Sequence, residues 1–209
     1  MAADSLVFLS RGEQMDMAFL EQCAPTVAPQ TMASIVRTES AFRPHAIGYH
    51  ITKDGKAYRL TNPPKNKDEA VSMAKWLLEH GYRFDAGAAQ INSQHFERFG
   101  MTAETIFDPC TSIGAGGRIL TEFYTGAVRR YGAGQEALKA AISAYQTGSY
   151  TRGYATGYVG RVTGYAGAPI PQAKAETPRA TKKSAATATA AAPTAGHIRP
   201  EDAPTAIAW

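Results

Sequence analysis

The chain has 209 residues, 44% of them hydrophobic, which is enough for one main domain with a real core. It contains no run of 18 uncharged apolar residues, so a transmembrane helix is not expected. The net charge of +4 is scattered without a basic block, which gives nucleic-acid binding little support. The first eleven residues include an acidic residue and an apolar run too short for a signal peptide, so the route of any export stays open.

The first part of the chain predicts two short helices. One covers about residues 13–22 and is stopped by Pro25. The second begins at Pro29, a residue suited to the first helical turn, and runs to about Ser40, with Pro44 preventing continuation.

A β-hairpin over residues 49–60 is predicted next, with Asp54-Gly55 at its turn. Asp68 and Glu69 then open a helix that Gly81 closes. Its inward residues are expected to be Val71, Ala74, Leu77 and Leu78.

The remaining elements are also helical. A short helix is expected over 93–99, and a longer one over about 111–131. The inward side chains of the longer helix should be Ile113, Leu120, Phe123, Ala127 and Tyr131, and its glycines at 114, 116 and 117 predict close helix packing. A last helix is marked by Leu138, Ala141, Ile142 and Tyr145. The fold class is therefore α+β, with mostly helices and one small hairpin.

The composition changes near residue 167. Residues 168–209 consist largely of Ala, Pro, Thr and Lys, and such a segment cannot bury enough surface to offset its ordering entropy. We therefore expect a domain over 1–167 and a disordered tail over 168–209. The last four residues, ending in Trp209, form a candidate docking element.

Glu39 is the most informative residue. It shares a helix face with Met32, Ile35 and Val36, at spacings of seven, four and three residues. Burial raises the pKa of a carboxyl, and a proton held near neutral pH is what a general acid requires. The alternative is a structural carboxylate that turns outward or pairs with Arg37 or Arg43.

Three other features have an ordinary and a functional interpretation. Gln90 and Asn92 follow the small residues 87–89 and offer hydrogen-bond donors and acceptors, but they would also suit a plain loop. Tyr145 continues an apolar stripe and carries a hydroxyl that needs a partner if it is buried. Cys23 and Cys110 could form one disulfide or remain two buried thiols.

Taken in order, three stretches resemble the lysozyme-like lytic transglycosylases. They are Glu39-Ser40, then Gly87-Ala-Ala-Gln90-Ile-Asn92, then Ala144-Tyr145-Gln146-Thr-Gly148. The resemblance is strongest to the small enzymes that accompany type IV secretion and conjugation systems, and it spans about residues 15–165. Cys23-Ala-Pro, the segment after Glu39 up to Gly48, Asp108-Pro-Cys110 and Gly157-Tyr158-Val-Gly-Arg161-Val162 contribute to it.

The resemblance implies cleavage of the β-1,4 bond between N-acetylmuramic acid and N-acetylglucosamine in peptidoglycan. Glu39 would act first as acid and then as base, which leaves a 1,6-anhydro product. The expected substrate-binding residues are Ser40, Gln90, Asn92, Tyr145 and Tyr158. By the same resemblance, Ser40 and Gln90 would contact the substrate or orient Glu39, and the Tyr145 hydroxyl is expected near Glu39.

The same resemblance has implications for cofactors, location and partners. It implies no metal or organic cofactor, a periplasmic location and a Cys23–Cys110 disulfide. The tail is a candidate contact for secretion or conjugation subunits. Two positions depart from the usual family pattern, namely Gln146 in place of Asn and Ala88 in place of Leu.

Two alternatives remain open. A hydrolase of the lysozyme type would need a second carboxylate, and Asp85 is the first candidate, ahead of Asp54 and Asp68. A non-catalytic glycan-binding assembly factor would use the cleft only to dock on the wall. Retention of Glu39 in an apolar setting argues against that second alternative.

Overall fold

A computed structural model describes residues 15–48 and 51–166, together with the backbone of Gly196–Ile198. The α-helices are α1 (Met17–Cys23), α2 (Pro29–Ser40), α3 (Lys67–Glu79), α4 (Pro109–Tyr131), α5 (Gln135–Thr147), α6 (Arg152–Ala155) and α7 (Tyr158–Gly164). The strands are β1 (Ile51–Lys53), β2 (Lys56–Leu60), β3 (Asp85–Ala86), β4 (Ile91–Asn92) and β5 (Gly196–Ile198). The predicted α+β class is confirmed.

Two small sheets accompany the helices. β1 and β2 form the expected antiparallel hairpin, with Ile51 opposite Tyr58. Asp54 and Gly55 turn the chain with φ of 51° and 73°, the left-handed region that Asp-Gly turns tolerate. β3 and β4 form a second antiparallel pair, with Asp85 opposite Asn92.

β5 lies parallel to β2, with Tyr58 opposite Gly196. A strand at this place was not expected within a disordered tail. The rest of the predicted tail, 167–195 and 199–209, lies outside the described residues, as do the N-terminal residues 1–14 and the hairpin positions 49 and 50.

Side-chain caps explain where several helices begin. The Asp16 carboxylate accepts a hydrogen bond from the backbone N–H of Phe19 at 2.8 Å, so α1 starts later than expected. α4 starts two residues earlier than expected, because Asp108 accepts from the N–H of Thr111 at 2.7 Å and Pro109 occupies the first turn. The predicted short helix over 93–99 consists of two 3₁₀ turns, Ser93–His95 and Glu97–Phe99.

The core includes the packed faces of α1, α2 and α4, with fully buried Leu20, Met32, Ile35 and Ile113. Two side chains that were predicted to face the core are exposed instead. Leu78 is 39% exposed, because it lies in the last turn of α3 beyond the buried side chains of that helix. Tyr131 is also 39% exposed and packs edge-on against the Tyr150 ring, 6.2 Å away between centroids. Among the described residues, no helix combines the length and the apolar character needed to cross a bilayer.

α1 and α4 are joined closely. Cys23 and Cys110 form a disulfide that links the end of α1 to the start of α4. A Cβ added at Gly117 would lie 2.7 Å from the Cβ of Ala24, and one at Gly114 would lie 3.0 Å from the Cys23 carbonyl. The glycines of α4 therefore permit the close approach that the sequence predicted.

Candidate active site

A cleft of about 1170 Å³ opens beside the C-terminal end of α2. Five of the predicted site residues line it, namely Glu39, Gln90, Asn92, Tyr145 and Tyr158. They come from α2, the β3–β4 turn, β4, α5 and α7, so the fold brings together residues that are up to 119 positions apart.

Glu39 lies in the last turn of α2 and is only partly exposed. The side chains that share its face, Met32, Ile35 and Val36, have no exposed surface. Helix α2 ends directly afterwards because Ala41 and Phe42 adopt left-handed backbone angles, with φ of 53° and 60°. The turn carries the following chain away from the carboxyl and along the cleft.

The surroundings of Glu39 favour its protonated form. Burial raises the pKa of Glu39 to about 7, and the negative charge of Asp85 raises it as well. A hydrogen bond from Tyr158 and the positive charge of Arg161 act in the opposite direction and lower the pKa. Near neutral pH the carboxyl can therefore both give and take a proton.

The tyrosine that donates a hydrogen bond to Glu39 is Tyr158. The Tyr158 hydroxyl donates a hydrogen bond to Glu39 Oε1, and its side chain is 2% exposed. The Tyr145 hydroxyl instead donates to the Ala89 carbonyl at 2.8 Å. Burial, followed by the charges of Glu39 and Asp85, raises the pKa of Tyr145, so this side chain lies in the same electrostatic environment without that contact.

Small residues at the start of the stretch from Gly87 to Asn92 allow its backbone to pack closely against neighbouring segments. Gly87 has a φ of 81°, and an added Cβ would lie 2.5 Å from both the Ile106 carbonyl and Ser112 Oγ. Ser112 Oγ also accepts a hydrogen bond from the N–H of Ala89 at 3.1 Å. Ala88 has no exposed surface, so the alanine that replaces the usual leucine is fully packed.

The side-chain amides of Gln90 and Asn92 donate hydrogen bonds to other groups of the protein. Gln90 has a φ of 51°, and its Nε2 donates to the carbonyls of Ala46 at 3.1 Å and Gly87 at 2.9 Å. Asn92 Nδ2 donates to Asp85 Oδ1 at 2.8 Å. Both side chains therefore shape the wall of the cleft, which they also line.

Ser40 does not lie in the cleft. Its side chain is 1% exposed, and Oγ donates to the Val36 carbonyl at 3.2 Å. Oγ thus faces its own helix, and the role expected of Ser40 stays a prediction. Adjacent positions on a helix are about 100° apart, so a residue next to Glu39 faces a different direction.

Two charged residues of the cleft had no role assigned from the resemblance itself. Asp85, considered only for the hydrolase alternative, lines the cleft next to Asn92. Arg161 lies with its guanidinium 5.9 Å from the centre of the Tyr158 ring. Arg161 follows Tyr158 by three residues, which places both on one helix face. This spacing is the feature of the sequence that could have identified Arg161. Within the described ranges, no group of three or more His, Cys, Asp or Glu side chains is arranged to hold a metal ion.

Comparison with known proteins identifies one family. The model described as the transglycosylase SLT domain matches residues 16–165. The chain is 42% identical over 141 residues to the type IV secretion system protein virB1 of Brucella abortus biovar 1 (strain 9-941), covering 67% of this chain and 57% of that protein. It is 37% identical over 144 residues to protein virB1 of Agrobacterium fabrum (strain C58 / ATCC 33970), covering 69% of this chain and 56% of that protein.

A third relative, protein virB1 of Rhizobium radiobacter, is 36% identical over 141 residues, covering 68% of this chain and 56% of that protein. The matched region thus spans little more than half the length of these curated relatives. No solved structure gives a significant match.

Proposed function

We propose a function on one premise: the chain belongs to the transglycosylase SLT domain family. The protein is a lytic transglycosylase that cleaves the β-1,4 bond between N-acetylmuramic acid and N-acetylglucosamine in peptidoglycan. The observation that carries this proposal is the position of Glu39 in the cleft, with a pKa raised to about 7 and a hydrogen bond from Tyr158.

In the first step Glu39 acts as general acid. Its carboxylic acid proton passes to the glycosidic oxygen while the bond from that oxygen to C1 of the muramic acid breaks. The N-acetylglucosamine side leaves as an alcohol, and positive charge develops at C1 and the ring oxygen. The newly formed Glu39 carboxylate accepts the Tyr158 hydrogen bond and has the Arg161 charge nearby.

In the second step the same carboxylate acts as general base. It removes the proton of the 6-hydroxyl of the muramic acid, and O6 forms a bond to C1. The product is a 1,6-anhydro ring, Glu39 is protonated again, and no water is consumed. Gln90, Asn92 and Tyr145 support the wall against which the sugar would lie.

The relatives point to a place for this activity. One of them is named a type IV secretion system protein, and we propose that this chain opens the cell wall locally for a type IV secretion or conjugation apparatus. A periplasmic location suits both the substrate and the Cys23–Cys110 disulfide, since disulfides persist in oxidising compartments. Residues 168–209 are proposed to contact subunits of that apparatus.

A substitution at Glu39 tests the catalytic proposal. Wild-type protein should release soluble muropeptides from purified peptidoglycan, and Glu39→Gln, which keeps the shape but has no proton to donate, should release none. Equal release by both proteins would refute the mechanism. Binding to peptidoglycan without release by either protein would support a glycan-binding assembly factor instead.

Asp85 supports a second candidate function, hydrolysis of the same bond. It lines the cleft and its charge acts on Glu39, as a second carboxylate of a lysozyme-type enzyme would. Its Oδ1 accepts a hydrogen bond from Asn92, which favours a role in building the cleft wall. The Asp85→Asn variant should therefore still form the anhydro product. In a hydrolase that needs Asp85 as its second carboxylate, the same substitution should abolish cleavage.

A further inference from the structure

Arg161 reaches back over the helix turn that carries Tyr158. It follows Tyr158 by three residues on α7, and its guanidinium lies 5.9 Å from the centre of the Tyr158 ring, within the range of a cation–π contact. Its Nη1 donates to the Thr156 carbonyl at 3.1 Å. Long helical side chains point toward the helix N-terminus, so this direction needs no unusual backbone. Arg161 is thereby fixed at two points although it is exposed.

Gln146 holds the turn to which Arg161 is bonded. Thr156 Oγ1 donates to Gln146 Oε1 at 2.8 Å and contacts the Gly153 carbonyl at 3.2 Å. Gln146 belongs to the last turn of α5, so this hydrogen bond ties α5 to the turn before α7. Asparagine, the residue usual at this position in the resembling family, is one carbon shorter and would not reach Thr156 without a backbone shift.

Charged and titratable groups face Glu39 from three elements. Tyr145 comes from α5, Asp85 from β3, and Tyr158 with Arg161 from α7. Arg43, His45 and Lys65 line other parts of the cleft. Of the charges that act on Glu39, Asp85 favours its neutral form and Arg161 favours its ionised form. A group that serves as acid and then as base needs these two influences in balance.

We propose that Arg161 is a positioning residue that fixes Tyr158 against Glu39 and keeps a positive charge beside the acid. Gln146 holds Arg161 in this place through Thr156. The departure from the usual Asn is thus part of the mechanism by which this chain sets the protonation of its acid. The assignment builds on the proposed role of Glu39, but it can be tested without any substrate.

The test is a titration of Glu39 by nuclear magnetic resonance. The carboxyl carbons of the glutamates are labelled with carbon-13 in the full chain, and the signal missing from Glu39→Gln identifies Glu39. Arg161→Gln should move the midpoint upward by about half a pH unit, the size of an interaction with one exposed charge. Arg161→Lys should restore most of the difference, and Gln146→Asn should shift the midpoint upward by less.

Arg118→Gln is the matched control. Arg118 is also exposed and stacks on an aromatic ring, with its guanidinium 4.8 Å from the centre of Phe99, but it does not line the cleft. Its replacement should leave the Glu39 midpoint unchanged. Thermal unfolding confirms that each variant is folded before it is titrated.

Two results would overturn the assignment. One is a midpoint in Arg161→Gln that is unchanged or lower than in wild type. The other is a shift in Arg118→Gln as large as that in Arg161→Gln. If the midpoints move as expected but wild-type protein cleaves no peptidoglycan, the proposed function fails while the positioning role of Arg161 stands.

Discussion

Replacing Glu39 by glutamine should stabilise the folded protein at alkaline pH. The pKa of Glu39 is raised from 4.5 to about 7 in the folded state. Between these values the folded protein keeps a proton that the unfolded chain has released, so stability falls as the pH rises through this range. Above pH 7 the loss is constant. Glutamine does not ionise and can still accept the Tyr158 hydrogen bond, so the variant escapes the loss.

The magnitude follows from the difference in pKa. About 2.5 pH units at about 1.36 kcal/mol each correspond to about 3 kcal/mol. For a protein of this size that free energy raises Tm by about 6–12 °C. At pH 4 the carboxyl is mostly protonated in both states, so the two proteins should differ by less than about 0.5 kcal/mol. Active-site residues commonly reduce stability in this way.

Urea unfolding of wild type and Glu39→Gln at pH 4 and pH 8.5 measures the effect. The difference in the free energy of unfolding between the two proteins should be several times larger at pH 8.5. Glu79→Gln, at an exposed position in the last turn of α3, controls for the substitution itself. A difference of equal size at both pH values would refute the argument that the Glu39 carboxyl is held protonated by burial.

Three further predictions concern the surroundings of the acid and the frame of the domain. Tyr158→Phe removes a hydrogen bond that lowers the pKa of Glu39, so the alkaline decline of the pH–rate profile should move up by about one unit. Replacing both cysteines by serine opens a loop of 87 residues and should lower the free energy of unfolding by about 4.6 kcal/mol in urea titrations. Gly116→Ala places a methyl group 2.7 Å from the Tyr145 hydroxyl and should lower the free energy of unfolding by about 1–3 kcal/mol.

Each of these variants has a control. Tyr154→Phe changes an exposed tyrosine outside the cleft, and an equal displacement of its profile would contradict the role of Tyr158. Wild-type protein with reductant should unfold like the double serine variant, and no loss of stability in either would contradict the contribution of the disulfide. An added Cβ at Gly160 meets no atom within 4 Å, so Gly160→Ala should be tolerated in the same helical setting where Gly116→Ala is not.

Local sequence patterns predicted α1 to α5, the first hairpin and the apolar helix face on which Glu39 lies, but not α6, α7 or the β3–β4 pair. Pro29 and the face shared by Met32 and Ile35 determine where α2 begins and which side is buried, and Glu39 follows from that face. The Asp54-Gly55 turn likewise determines the hairpin register. These features depend on contacts within a few residues, so they are visible in the sequence.

Contacts between distant segments were not predictable in the same way. The direction of the Tyr145 hydroxyl depends on the Ala89 carbonyl, and the position of Tyr158 depends on how α7 packs beside α2. A motif that names adjacent residues does not say which of them faces the cleft, and Ser40 is buried against its own helix. The strand at 196–198 depends on an edge of β2 that no local pattern indicates.

The most direct test of the central claim is the mass of the products formed in water labelled with oxygen-18. A reaction in which Glu39 acts alone, as acid and then as base, must give anhydro-muropeptides that carry no label, and Glu39→Gln must give none. Reducing-end products that carry one labelled oxygen at C1 would contradict the account and establish hydrolysis instead.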